Sequence, residues 1–196
     1  MFRWGLFAYA VLSGLVWLIS WLWLGENPLV TSNPWLNAEA PLRHGYSALL
    51  GLAYGALLVT SSRLSLSRFE WAKRLHGEFR PFAMQLGMPS IVLLALLSSL
   101  GEELLFRGLL QPQIGIIAQA VVFGLMHQIP GKSRWVWASW AGAVGLGFGA
   151  IFQFTGSLIG PLLAHAMVNG LNLCHLKSEP AHRDKSQLGG LLGGDM

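Results

Sequence analysis

The stretch MPSIVLLALLSSLGEELLFRGLL, Met88–Leu110, decides the reading of this chain. It is long and apolar enough to cross a bilayer, which takes about 20 such residues. Yet Glu102, Glu103 and Arg107 lie inside it. A charged side chain at the centre of a bilayer helix costs roughly 2.5–3.5 kcal/mol even on a lenient insertion scale, so charges there face the protein interior and serve pairing or chemistry. Glu103 and Arg107 are four residues apart with the acid first, the favourable order for an ion pair on one helix face. Glu102 points about 100° away around the axis. Leu105 and Phe106 occupy the positions where a cation on the same helix would stand, so Glu102 is an intramembrane acid without a local partner.

The rest of the chain fits the same medium. Of 196 residues, 53% are hydrophobic and 11% charged, against about 25% charged in a typical soluble domain. Mean hydropathy is +0.50, with nine tryptophans in 21.4 kDa. This composition excludes a disordered chain, a nucleic-acid module and an ordinary soluble enzyme. The expected fold is all-α: a polytopic membrane protein of about six transmembrane helices plus one interfacial amphipathic helix. The spans are read at 4–24, 42–60, 88–110, 113–129, 136–154 and 157–175. The first is too long for a signal-peptide core and reads as an anchor helix. Gly51-x-x-x-Gly55 in the second suits close helix contact, and the glycines of the fifth (Gly142, Gly145, Gly147, Gly149) read as packing residues. Segment 63–82 carries Leu64, Trp71, Leu75, Phe79 and Phe82 at helical spacing, with basic residues on other faces, the pattern of a helix lying in the interface plane. Residues 1–176 read as a single transmembrane domain and 177–196 as a flexible polar, glycine-rich tail. No internal repeat is visible, and Cys174 is a lone cysteine.

With the N-terminus inside, every one of the 13 basic residues except Arg43 and Arg107 falls on the inner side or in the tail. Both termini are therefore expected in the cytoplasm, with the protein integral to the cell (inner) membrane.

Two further polar pairs interrupt apolar spans: Phe123-x-x-x-His127, and His165-x-x-x-Asn169, whose polar residues share a helix face. A carboxylate and an imidazole together hold and deprotonate a water. A second imidazole and an amide donate hydrogen bonds to a developing oxyanion. Such a set hydrolyses an amide without a nucleophilic side chain.

At these residues the chain resembles the CPBP family, the type II CAAX prenyl endopeptidases and bacteriocin-processing (Abi) membrane proteins. The shared pattern is Glu102-Glu103-x-x-x-Arg107, Phe123-x-x-x-His127 and His165-x-x-x-Asn169, in order, each on its own expected span. The resemblance covers about residues 88–175. It implies a glutamate-dependent, metal-independent intramembrane endopeptidase that needs no cofactor. Glu102 and His127 would activate water, His165 and Asn169 would stabilise the oxyanion, and Glu103 and Arg107 would support the site. The implied partners are a membrane-associated protein or peptide substrate and the lipid bilayer, not nucleic acid. The connection between Arg107 and His127 is short. Straight helices would leave Glu102 about 12 Å and His127 about 21 Å from the outer ends of their spans, so their meeting requires a kink, a tilt or a re-entrant start near Pro112.

Two other readings compete. Glu102, His127 and His165 form a conceivable zinc set, although no HExxH is present and Asn169 would then have no role. A non-catalytic membrane protein (immunity, scaffold or proton-coupled transport) also uses buried Glu and His, although transporters commonly carry inverted repeats.

Overall fold

The computed structural model describes residues 2–129 and 131–178. The expected tail from residue 179 onward lies outside them; Lys177 and Ser178 still belong to the last helix. The described residues form seven α-helices: α1 (Phe2–Leu22), α2 (Ala40–Arg68), α3 (Glu70–Met84), α4 (Met88–Glu103), α5 (Gln111–Met126), α6 (Arg134–Thr155) and α7 (Ile159–Ser178). A π-helical segment, Leu104–Leu110, joins α4 to α5. No strand occurs among the described residues; one isolated bridge, Val30 to Ser157, ties the α1–α2 connection to the α6–α7 turn. The large apolar side chains of α1 and α2, Trp4, Leu15, Leu18, Leu49 and Leu57 among them, face outward. In water that surface would be untenable; in lipid it is the contact face. The protein is an all-α polytopic membrane protein.

Four stretches among the described residues are long and apolar enough to cross a membrane: Trp4–Leu22, Ala40–Arg68, Met88–Met126 and Arg134–Thr155. This departs from six separate spans in two places. Helix α7 has the length, but His165, Asn169, Asn172 and His175 dilute its apolar content. The expected third and fourth spans form one helical run, folded back on itself at Gly115, where φ is 81° and ψ 168°. Only glycine adopts that backbone region readily. The reversal shows in the contacts across it: Phe106 meets Phe123, with ring centroids 4.8 Å apart, and Glu102 meets His127. From Ile116 to Met126 the returning arm of α5 is only about 16 Å long, roughly half of a 30 Å hydrocarbon core.

Helix directions follow from similar pairs. Gly51 abuts Gly160 and Gly55 abuts Ala164, the close contact that the glycine spacing in α2 suits, and α2 and α7 run parallel. A side chain at Gly51 would collide with the Gly160 backbone. Asn169 meets Ser98 and His165 meets Glu103, so α4 and α7 run antiparallel. Tyr54 packs edge-on against Phe148 and Leu58 joins Val144 in one core cluster, so α2 and α6 are antiparallel. Gly5 of α1 lines the same cavity as His175 and Leu176 of α7, so the start of α1 and the end of α7 lie on the same face.

The second span runs eight residues further than expected, to Arg68. The chain then breaks at Phe69 (φ −121°, ψ 130°) and begins α3. This is the expected amphipathic helix, but its apolar side does not simply face lipid. Trp71, Leu75, Phe79 and Phe82 line a half-open cavity, and Phe79 packs against Trp137 of α6 with centroids 5.0 Å apart.

Two substitutions test this architecture. A side chain at Gly115 meets nothing within 4 Å, so Gly115→Ala carries only the conformational cost of its backbone, about 1–3 kcal/mol. Gly51→Leu overpacks the α2–α7 contact at about 1–3 kcal/mol. Thermal unfolding in detergent should fall for both, while Gly45→Leu, which also meets open space but in an ordinary helical conformation, should be close to neutral. An unchanged midpoint for Gly51→Leu would contradict the helix pairing.

Candidate active site

The ion pair foreseen between Glu103 and Arg107 is present. Arg107 Nη1 donates to Glu103 Oε1 at 2.9 Å, and both side chains are fully buried. The turn between them is π-helical, wider than an α-turn, a feature that recurs at functional sites. Arg107 Nη2 donates to the Gly145 carbonyl of α6 at 2.9 Å, and the guanidinium lies over the Phe123 ring at 4.5 Å and near Phe148 at 5.2 Å. The glycines of α6 make room for this. A Cβ at Gly145 would press on Phe123 and on Arg107 Nη2, and one at Gly149 would strike the side-chain amides of Gln111 and Gln119. Gln111 donates to the Gly149 carbonyl at 2.9 Å, repeating the Arg107 arrangement one turn further on.

His165 joins the two glutamates. Its Nδ1 lies 2.7 Å from Glu103 Oε1 and its Nε2 3.7 Å from Glu102 Oε2. A carboxylate only accepts, so Nδ1 carries the proton toward Glu103 and Nε2 is presented to Glu102. Phe148 stacks on the ring, centroids 5.2 Å apart. His127 approaches from the returning arm of α5, its Nε2 3.4 Å from Glu102 Oε2. Its Nδ1 is 2.7 Å from the Phe123 carbonyl, which fixes Nδ1 as donor and turns Nε2 toward Glu102. Phe123 packs against His127 at 4.2 Å, so one aromatic ring braces both Arg107 and His127.

Glu102 thus has no cation on its own helix, as the sequence implies, but two imidazoles from other helices. Its second oxygen has a partner that sequence reading missed: Tyr9 of α1 donates to Oε1 at 2.8 Å. A tyrosine hydroxyl in the middle of an apolar span needs a partner, and that was the available signal. Asn169 stands further along the cavity. Its amide donates to Ser98 Oγ at 3.1 Å rather than to either glutamate. Ser98 is a second residue that the motifs did not mark.

Two carboxylates and one guanidinium gather here, with two imidazoles beside them. Among the described residues, no group of three or more His, Cys, Asp or Glu is arranged to hold a metal ion.

Glu102, His127, His165 and Asn169 all line one cavity of about 560 Å³. The sequence places this hollow among the helices bearing the three motifs. In the structure α1, α2, α3 and α6 line it as well, through Tyr9, Leu66, Leu75 and Trp140 among others. The acid faces this hollow and not lipid.

Residues 84–171 match the family model of the Rce1-like type II CAAX prenyl endopeptidases. Among curated proteins, the chain is 33% identical over 98 residues to the uncharacterized protein YpbD of Bacillus subtilis (strain 168), a match covering 50% of this chain. The chain spans about half of that relative's length, 51%. No solved structure matches it. The matched stretch contains all three motifs that meet at the cavity, so the similarity to the Rce1-like type II CAAX prenyl endopeptidases falls on the residues that build the site.

Proposed function

We propose that the chain is an intramembrane endopeptidase that cleaves a peptide bond of a membrane-associated protein or peptide by glutamate- and histidine-assisted attack of water. The family match supports a CAAX-type intramembrane protease at the family level. The observation that carries the finer reading is the convergence of Glu102 Oε2 with the Nε2 atoms of His127 and His165, at 3.4 and 3.7 Å, beside a cavity.

In this reading a water beside Glu102 Oε2 gives up a proton to the Glu102–His127 pair as its oxygen bonds to the scissile carbonyl carbon. The carbonyl oxygen becomes an oxyanion. His165, in the imidazolium form with Nδ1–H on Glu103 and Nε2–H toward the cavity, and the second N–H of the Asn169 amide donate to it. Collapse breaks the C–N bond, and the proton held by His127 passes to the departing amine. The products are a carboxylic acid and an amine; no covalent intermediate forms. Glu103 and Arg107 hold His165 in register and neutralise the interior. The apolar wall of Leu66, Leu75, Leu94 and Trp140 suits an apolar side chain or lipid group of the substrate, with both chain termini on the cytoplasmic side.

The test uses the full chain in proteoliposomes with quenched fluorescent peptides, one series prenylated on a cysteine near the C-terminus and one unlipidated. Glu102→Gln and His127→Ala are each expected to lower cleavage at least about 100-fold while leaving thermal unfolding cooperative. A chelator such as EDTA is expected to leave cleavage intact; loss with EDTA and recovery with zinc would favour a metal mechanism instead. Retained cleavage in both variants overturns the proposed mechanism, and no cleavage of either series by the wild type overturns the protease reading in favour of the non-catalytic one.

A further inference from the structure

Glu102 has two oxygens, and only one faces the imidazoles. We infer that Tyr9 is a positioning residue that holds the Glu102 carboxylate plane so that Oε2 is presented to His127 and His165. This rests on the proposed role of Glu102 as base. It assigns a part in the chemistry to α1, which lies outside the segment that matches the family model.

The geometry carries the inference. The Tyr9 hydroxyl lies 2.8 Å from Glu102 Oε1, the usual length of an O–H···O bond, and the phenol must donate because the carboxylate only accepts. The terminal torsion of a glutamate is broad and roughly two-fold, so without such a bond either oxygen turns toward the histidines over a range of angles. With Oε1 tied to Tyr9, Oε2 stands 3.4 Å from His127 Nε2 and is buried without a hydrogen-bond partner among the described residues.

Tyr9 is itself held. Gly101, immediately before Glu102, lets α1 approach α4 closely: a Cβ there would lie 3.2 Å from Tyr9 Cδ1 and 3.3 Å from Ser13 Oγ. Ser13 Oγ donates to the Tyr9 carbonyl at 2.8 Å. The phenol ring lines the same cavity as Glu102, so the bond forms at the rim of the reacting volume.

Tyr9→Phe removes the hydroxyl and keeps the ring. Using the peptide cleaved by the wild type, kcat is expected to fall about 10- to 100-fold, the range for a hydrogen bond to a charged group, with KM unchanged. Tyr46→Phe, at an exposed position of α2, serves as the control and should keep wild-type kcat. Wild-type kcat in Tyr9→Phe, a loss confined to KM, or an equal loss in Tyr46→Phe overturns the inference. Should Tyr9→Phe fail to fold, chain labelled throughout with difluorotyrosine keeps every ring. Its stronger phenol donors should shift the Glu102 carboxylate stretch, assigned by infrared difference against Glu102→Gln, and an unshifted band overturns the inference. Glu102→Gln separates the two readings. If it still cleaves, the base assignment fails and Tyr9 falls with it. If it is inactive while Tyr9→Phe has wild-type kcat, only the positioning role fails.

Discussion

A fully buried ion pair, Glu103 with Arg107, is the constraint around which the rest of the helical array is organised. Charges removed from water demand partners on every side, and those partners here come from three helices. The Gly145 carbonyl of α6 and the His165 ring of α7 extend the hydrogen bonding that α4 and its π-helical extension begin. The helices are thereby fixed in register to within a hydrogen bond, tighter than apolar packing alone would hold them. His165 also carries the constraint outward, because the nitrogen opposite Glu103 faces Glu102. The buried pair and the acid at the cavity are two ends of one network.

Glycine makes this network possible. Helix α6 turns a nearly bare backbone toward the π-helical segment, and its carbonyls at Gly145 and Gly149 accept from Arg107 and Gln111. The glycine at position 115 does something different. It lets a helix reverse within one residue, so that the chain following Arg107 returns His127 to the level of Glu102. The short connection that stands in the way of two straight spans becomes the reason the site closes.

The amphipathic helix α3 unites two environments. Its charged residues include Lys73, paired with Glu70 at 2.6 Å, while Trp71, Leu75 and Phe79 roof the cavity. Burial of an apolar face does not say which apolar medium covers it. The side that reads as membrane-seated in sequence is half-buried against the cavity, with Phe82 still exposed.

What sequence alone determined was chemical character. The length of the apolar runs, the four-residue spacing of Glu103 and Arg107, the small-residue spacing in α2 and the isolation of Glu102 are local facts, set by helix geometry and by the cost of charge in lipid. They led to an all-α membrane protein, to the internal ion pair and to the residues that gather at the cavity. Tertiary structure decided what depends on contacts across long separations. The reversal at Gly115 needs a backbone angle that glycine permits but does not dictate. Asn169 turns to Ser98 because α4 and α7 meet antiparallel at that level. Tyr9 finds Glu102 at 93 residues' separation because α1 lies against Gly101, and a hydroxyl in an apolar helix announces that it needs a partner without saying which one.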